Sequence, residues 1–295
     1  MNKSNSFLDD FFEQNPEAKS GKLSLEEINK RLFHYQQQQN NKAIEDFDGL
    51  SPLQMNDLLY HPLSPNSILQ LREAEEEDLK KVPFFQLAES LLKLIQVAGK
   101  LKLTPKGNLT IDVCKFLTQQ NLIQWKYQQY IKRISEESIP FVGVLKFYLL
   151  QDGLVKKQHN HLSITKRGIT HLAKPISIRF RDLLSFFTGK LAWNSLYDPY
   201  GYEQCGQFGW AFSMVLVAKY GQEARSSEFY SEIVYGAFGH KYATKGEHNV
   251  LYNARFFEYF MDWFGFIQLE SIRGQYNNYL VTKTALFDKI FEINK

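Results

Sequence analysis

Cysteine and long apolar runs are both scarce in this chain of 295 residues. Two cysteines, Cys114 and Cys205, are too few for a disulfide framework or a cysteine-based metal site. No apolar stretch approaches the roughly 18–20 residues of a membrane span. The first residues, MNKSNSFLDD, also lack the basic start and apolar run of a secretory signal. These absences predict a cytoplasmic protein without a membrane partner.

Motifs for catalysis and cofactor binding are missing as well. The sequence contains no glycine-rich phosphate loop, no G-x-S-x-G turn and no H-E-x-x-H zinc motif. His159 and His161 form an H-x-H pair with His171 nearby, but no carboxylate or thiol accompanies them. Solvated turn histidines are therefore favoured over a zinc site. We expect no metal, no cofactor and no catalytic residues, so an enzyme is the least favoured function.

Charge is distributed unevenly along the chain. Residues 1–82 carry 9 Lys/Arg and 15 Asp/Glu, a net charge of −6. Residues 83–174 carry 14 and 5, a net charge of +9, and residues 175–295 carry 12 of each. A separate acidic and basic part indicates either nucleic-acid contact or contact between the two parts.

Residues 153–172, GLVKKQHNHLSITKRGITHL, are the most informative stretch. A glycine that can end a helix is followed by two short apolar–polar alternations, typical of half-buried strands. The polar residues 158–160 lie between them as a turn. Thr165 then opens a T-x-x-G sequence, and its hydroxyl can cap the following helix. With the apolar residues 141–150 ahead of it, the stretch predicts a helix, a hairpin and a second helix.

The same phrase occurs twice more. Residues 101–107, LKLTPKG, match residues 162–168, LSITKRG, and residues 279–285, YLVTKTA, match again with Ala in place of the last Gly. The copy at 279–285 has its own helix and strand upstream, whereas the copy at 101–107 follows the helix 83–98 with room for half a hairpin. The repeats predict three modules, the first of them reduced.

Ser24 with Glu27 and Ser51 with Pro52 predict two helix starts.

A buried helix, an antiparallel hairpin and a T-x-x-G helix start resemble the winged-helix (helix-turn-helix) superfamily. The resemblance implies a mainly α fold with small β-hairpins. It suggests an acidic helical segment at 1–82, two winged-helix-like modules in the basic region 83–174, and a helical region at 175–295 ending in a third module. In addition, G-L-S-P-x-Q-M at 49–55 and L-x-L-T-x-x-G-N-L at 101–109 resemble a segment of uncharacterised bacterial proteins, which brings no activity with it.

The winged-helix resemblance implies binding to DNA or another nucleic acid. In such modules the helix before the hairpin reads bases in the major groove and needs polar side chains. Residues 141–150 offer only Lys146 as a charged group, so we expect contacts to the phosphate backbone instead. The candidate nucleic-acid-binding residues around the hairpin are Lys156, Lys157, His159, His161, Lys166 and Arg167. Those of the aromatic and basic stretch 121–133 are Lys126, Lys132 and Arg133.

A protein–protein interaction protein is the alternative. In this interpretation the modules pack on each other and on the acidic segment, with a protein partner or self-association as the outcome, and residues 121–133 are an ordinary amphipathic connector. The sequence predicts for this packing that Leu53, Leu58 and Leu59 bury against the helix at 84–95.

Overall fold

The structure is a computed structural model that describes residues 3–202, 204–239, 244–275 and 277–294. The helices are α1 (Lys3–Gln14), α2 (Pro16–Lys19), α3 (Leu25–Asn41), α4 (Pro52–Tyr60), α5 (Glu76–Leu79), α6 (Pro83–Ala98), α7 (Ile111–Thr118), α8 (Pro140–Gln151), α9 (Lys166–Leu172), α10 (Ile176–Ser185), α11 (Trp210–Tyr220), α12 (Ser227–Phe238), α13 (Lys245–Tyr252) and α14 (Ala285–Ile290). The strands are β1 (Leu69–Leu71), β2 (Leu101–Lys102), β3 (Val155–Gln158), β4 (His161–Ile164), β5 (Arg225–Ser226), β6 (Ile267–Ser271), β7 (Tyr279–Lys283) and β8 (Phe291–Ile293). The π-helical segments Phe186–Lys190 and Asn253–Met261 continue α10 and α13.

This architecture confirms the expected mainly α fold with small β-hairpins. Within the described ranges, no helix is both long and apolar enough to cross a membrane. The helix starts at Ser24 and Ser51 are also confirmed, because each serine accepts a hydrogen bond from the backbone N–H three residues later.

Two three-stranded antiparallel sheets organise the fold. One has the strand order β2-β4-β3 and the other β5-β7-β6, so in each the last strand along the chain lies in the middle. Each belongs to a unit with the order helix, strand, helix, helix, strand, strand: the first unit is residues 83–164 and the second unit is residues 210–283. β2 pairs with β4, with Leu101 opposite Leu162. The sequence analysis is thus corrected: the strand near 101–104 is no separate reduced module, but completes the sheet of the hairpin at 155–164.

A threonine closes the hairpin of the first unit. The Thr165 hydroxyl donates to the Gly153 carbonyl at 2.7 Å, and the Thr165 N–H donates to the Leu154 carbonyl at 3.0 Å. The same hydroxyl oxygen accepts from the Gly168 N–H and caps α9. A Cβ on Gly168 would collide with the Leu154 carbonyl oxygen. In the T-x-x-G sequence the threonine therefore caps α9, and the glycine allows α9 to approach the backbone at Leu154 closely.

The second unit repeats this closure with Thr284. Its hydroxyl donates to the Gly265 carbonyl at 2.8 Å, and its N–H donates to the Phe266 carbonyl at 3.0 Å. Gly265 has a positive φ of 71°, like Gly153 at 65°, a conformation that glycine adopts without a Cβ penalty. The counterpart of Thr165 is therefore Thr284, whereas the sequence match had aligned Thr282.

The phrase at 101–109 forms a different structure, a tight turn. The Thr104 hydroxyl accepts from the Asn108 N–H at 3.0 Å, and the Thr104 carbonyl accepts from the Gly107 N–H at 2.8 Å. Gly107 has a positive φ of 85°, and the turn brings Leu103 and Leu109 into an antiparallel bridge. Its likeness to residues 162–168 is therefore in sequence only.

One hydrophobic core extends across both units, from Met55 to Phe291. Near its centre Phe84 of α6 lies 5.3 Å from Phe264 and 5.7 Å from Trp263, measured between ring centroids. Phe187 contacts Phe84 from the side and stacks on the second unit at Phe260. The domain limits expected at 82/83 and 174/175 therefore fall within a continuous core.

The acidic N-terminal part docks on the C-terminal half of the chain. α4 packs mainly against α3 and α11; Leu58 is buried, but Leu53 remains 44% exposed. Asp48 pairs with Lys219 at 2.8 Å and accepts a hydrogen bond from the Tyr220 hydroxyl at 2.7 Å. The leucine contacts expected with the helix at 84–95 are thus replaced by contacts with α11.

The end of the acidic part is held in the same way. β1 pairs with β8 near the C-terminus, with Leu69 opposite Ile293. The stretch expected to be a solvated linker contains α5, where Asp78 accepts hydrogen bonds from Lys81 and from Lys289 of α14. These contacts, like those of Asp48, attach the acidic part to the C-terminal half of the chain.

We expect both closing threonines to stabilise the folded state, Thr165 more than Thr284 because its hydroxyl also caps α9. Replacing Thr165 or Thr284 with Val should lower the free energy of unfolding by about 1–2 kcal/mol each, because the glycine carbonyl loses its donor. Thr282→Val is the matched control, since the Thr282 hydroxyl makes no hydrogen bond to the described residues, and it should stay within about 0.5 kcal/mol of wild type. Urea denaturation measures all three, and a Thr282→Val loss as large as that of Thr284→Val would contradict this assignment.

Candidate functional site

The hairpin of the first unit has a short turn. β3 and β4 are joined by His159 and Asn160, whose φ angles of 46° and 56° are both left-handed. This is the conformation that two-residue hairpin turns require. The Asn160 carbonyl accepts from the Leu103 N–H at 2.7 Å, which ties the tip to the neighbouring strand. The tip of the hairpin is therefore exposed at the surface and is supported by a hydrogen bond from the neighbouring strand.

Around this hairpin the positive charge is not neutralised. No Asp or Glu occurs between Asp152 and Asp182. Among the described residues, none forms an ion pair with the exposed side chains of Lys156, Lys157, Lys166 and Arg167. We call these four residues, with the exposed His159 and the half-buried His161, the basic hairpin surface.

Two further lysines extend the basic hairpin surface. Lys102 of β2 lies opposite His161 in the sheet, and Lys106 is exposed in the adjacent turn. Arg133 lines the same groove as Lys106, and Lys132 beside it is exposed. The sequence analysis missed Lys102 and Lys106. The sequence LKL at 101–103 indicates a strand. It does not indicate that this strand pairs with β4, which is what brings Lys102 and Lys106 close to the hairpin.

Lys126 lies elsewhere. Its Nζ is 2.7 Å from Glu258 Oε1 and also contacts the Tyr279 hydroxyl, both in the second unit. The preceding Trp125 packs against Tyr259 at 5.6 Å. Residues 119–139, the connecting segment between α7 and α8, thus cross to the second unit. Lys126 belongs to this contact and not to the basic hairpin surface.

Most of the third helix of each unit is buried, although α8 exposes Phe147 and Gln151 and α13 exposes Lys245 and Gly246 in its first turn. In α8 the charged residue Lys146 pairs with Glu136 of the connecting segment, and Phe141 contacts Trp263 of the second unit at 6.1 Å. Every residue of Asn253–Met261, which continues α13, is buried. Neither helix therefore exposes a continuous polar face of the kind that reads base edges in a major groove.

Arg255, in the helical segment Asn253–Met261, binds the irregular loop of residues 192–209. Its side chain is fully buried and donates hydrogen bonds to the carbonyls of Tyr197 at 2.7 Å, Tyr202 at 2.6 Å and Cys205 at 2.9 Å. It also pairs with Asp198 at 3.3 Å. The glycine- and tyrosine-rich loop of residues 192–209, whose role the sequence left open, is thus packed onto the second unit.

The three histidines near the hairpin do not converge. His159 and His161 lie at the tip, but His171 is buried with its Nδ1 3.5 Å from Asp182 Oδ2. Burial lowers the pKa of His171, which the Asp182 carboxylate only partly opposes. Across the described residues, no group of three or more His, Cys, Asp or Glu side chains could hold a metal ion.

A cleft of about 450 Å³ separates the connecting segment from the second unit. Its lining residues are Gln124, Trp125, Lys126, Gln129, Glu258, Asp262, Leu269, Ser271 and Tyr279. Burial, and to a lesser extent the nearby Glu258 carboxylate, raise the pKa of Asp262 to about 7 against the opposing effect of Lys126. Perturbed carboxyl groups in clefts are candidates for functional sites.

No protein-family model, curated protein or solved structure matches this chain. The two candidate sites, the basic hairpin surface and the cleft, are therefore evaluated from their own chemistry.

Asp262 should make the stability of the protein depend on pH. In the folded state it keeps its proton up to about pH 7, whereas an unfolded chain loses this proton near pH 4. The folded state thus binds more protons between these values, and the contribution of Asp262 to stability falls as pH rises through them. Asp262→Asn should be more stable than wild type at pH 8, by about 4 kcal/mol, and equal to it near pH 4.

Urea denaturation at pH 4, 6 and 8 measures this difference. Asp112→Asn, at an exposed site on α7, is the control and should follow wild type at every pH. A constant difference between Asp262→Asn and wild type across the three pH values would contradict the prediction.

Proposed function

We propose that this chain is a winged-helix protein with two modules that binds nucleic acid through the phosphate backbone at the basic hairpin surface. The observation that carries the proposal is a group of exposed basic side chains with no acidic neighbour in the sequence between Asp152 and Asp182. The strand order and the helix order of both units support the winged-helix assignment.

The placement of the acidic part supports a polyanionic partner. Asp48 and Asp78 of the acidic segment pair with Lys219 and Lys289 of the C-terminal half and not with the basic block. Lys126 of that block is paired with Glu258, so the charge offered to a ligand is that of the exposed basic hairpin surface. Lysine and arginine contacts with phosphates release counterions, and this release drives such binding.

The burial of both third helices determines what kind of recognition is possible. Phosphate contacts position a protein on nucleic acid but carry no sequence information. With α8 covered by the second unit at Phe141 and by Phe186 at Tyr148, this helix exposes no continuous polar face to base edges. We therefore infer binding that depends strongly on salt and little on sequence.

A protein-interaction scaffold is the second candidate. It is favoured by the shared aromatic core, in which Phe84 and Phe141 of the first unit contact Trp263 of the second. In this case the units serve each other as packing partners, and the basic hairpin surface would bind an acidic protein or a second copy of the chain.

Fluorescence anisotropy with labelled duplexes and single strands tests the first candidate. We expect binding at low salt, with a plot of log affinity against log salt that becomes shallower by about 2 in the double variant Lys156→Gln/Lys157→Gln. Lys22→Gln/Lys42→Gln removes the same charge from two exposed lysines that flank α3 and have no ion pair among the described residues. This control should keep the wild-type slope.

Sequence preference provides a second criterion. Two unrelated duplexes of equal length should bind within about threefold of each other, since well-read bases each contribute about 1–3 kcal/mol. A preference above a hundredfold would contradict backbone recognition. Absence of binding at low salt, or equal loss in both double variants, would assign the chain to the interaction scaffold.

A further inference from the structure

The cleft between the connecting segment and the second unit is built from two sides. Trp125 and Lys126 of the connecting segment form one wall, and Glu258 and Asp262, one helical turn apart, form the other with Tyr279 of β7. Its volume of about 450 Å³ lies in the range of small-molecule sites. None of these residues belongs to the basic hairpin surface, so the two sites are independent.

Above about pH 7, where Asp262 is ionised, the charges in the cleft do not balance. Lys126 is the cation among the lining residues, and its ammonium group is bound to Glu258, which is only 6% exposed. Among the residues that the structure describes, no side chain or backbone N–H donates a hydrogen bond to the Asp262 carboxyl group. Asp262 is thus a carboxyl group without a donor beside an ion pair that is already complete.

The other lining groups favour an organic ligand over water or a bare ion. Trp125 lines the cleft, and aromatic rings attract cations. Gln124, Gln129 and Ser271 offer neutral hydrogen-bonding groups around the opening. A divalent metal would need more ligands than two carboxyl groups, one of which is occupied by Lys126.

From this geometry we propose that the cleft binds a small organic molecule that carries a protonated amine, with Asp262 as the acceptor of the ammonium group and Trp125 beside its apolar part. The ammonium group supplies the charge and the donor that Asp262 lacks. An anion would be repelled by Asp262, and a neutral alcohol would leave its charge uncompensated.

Three probes with one carbon skeleton test the charge requirement: benzylamine, benzyl alcohol and benzoate. By isothermal titration at pH 8, benzylamine should bind saturably with a Kd on the order of 1 mM. The alcohol and benzoate should bind at least about tenfold more weakly. The affinity for benzylamine should also fall at least about tenfold at pH 5.5, where Asp262 is protonated; the charged or titratable groups that face it are Glu258, Lys126 and Tyr279.

Asp262→Asn and Asp112→Asn are the matched variants. The first keeps the shape of the cleft and removes its charge, so benzylamine binding should be lost; the second changes an exposed residue on α7 and should bind as wild type does. Equal binding of the three probes, unchanged binding in Asp262→Asn, or no saturable binding of benzylamine would each overturn the proposal. The probe series on the unmodified chain decides the question if Asp262→Asn does not fold.

Discussion

The contact between aromatic rings of the two units is the interaction on which the rest of the structure depends. Phe84 of α6 contacts Trp263, Phe264 and Phe187, and Phe187 itself contacts Trp263 and Phe264. Aromatic pairs contribute about 0.5–1.5 kcal/mol each beyond their buried area. A cluster of several such pairs fixes the orientation of the units, and it also covers the helices that a single unit would leave exposed.

This packing decides which surfaces remain for function. Since α8 is covered through Phe141, the first unit retains its hairpin and the neighbouring turn as exposed elements. The connecting segment crosses the boundary between units, and its Lys126 completes an ion pair with Glu258. The connecting segment therefore contributes Trp125 and Lys126 to the cleft and Arg133 to the groove beside Lys106.

Both units use the same closure, in which a threonine hydroxyl binds the carbonyl of the glycine that ends the third helix. Thr165 and Gly153 form it in the first unit, and Thr284 and Gly265 form it in the second. The repeat visible in the sequence aligned Thr282 with Thr165, two residues away from the true counterpart. Strand sequences of alternating apolar and polar residues can be aligned with each other at several registers. The hydrogen bond from a threonine to a glycine carbonyl identifies which of these registers is structurally equivalent.

The sequence by itself determined the local features of this protein. The helix caps at Ser24 and Ser51, the helix Pro83–Ala98 and the hairpin turn at His159 depend on groups within a few residues of one another, and such short-range patterns are legible along the chain. The uneven distribution of charge was also visible from composition.

The tertiary structure alone decided the partners of distant residues. Lys126 meets Glu258 across 132 positions, and β2 joins β4 across the whole of α7 and α8. Amphipathic periodicity indicates that a face is buried, but not which other face covers it. For this reason the sequence assigned Lys126 to the nucleic-acid surface and missed Lys102. The proton affinity of Asp262 follows from the same long-range packing, since it depends on how much water the neighbouring unit excludes.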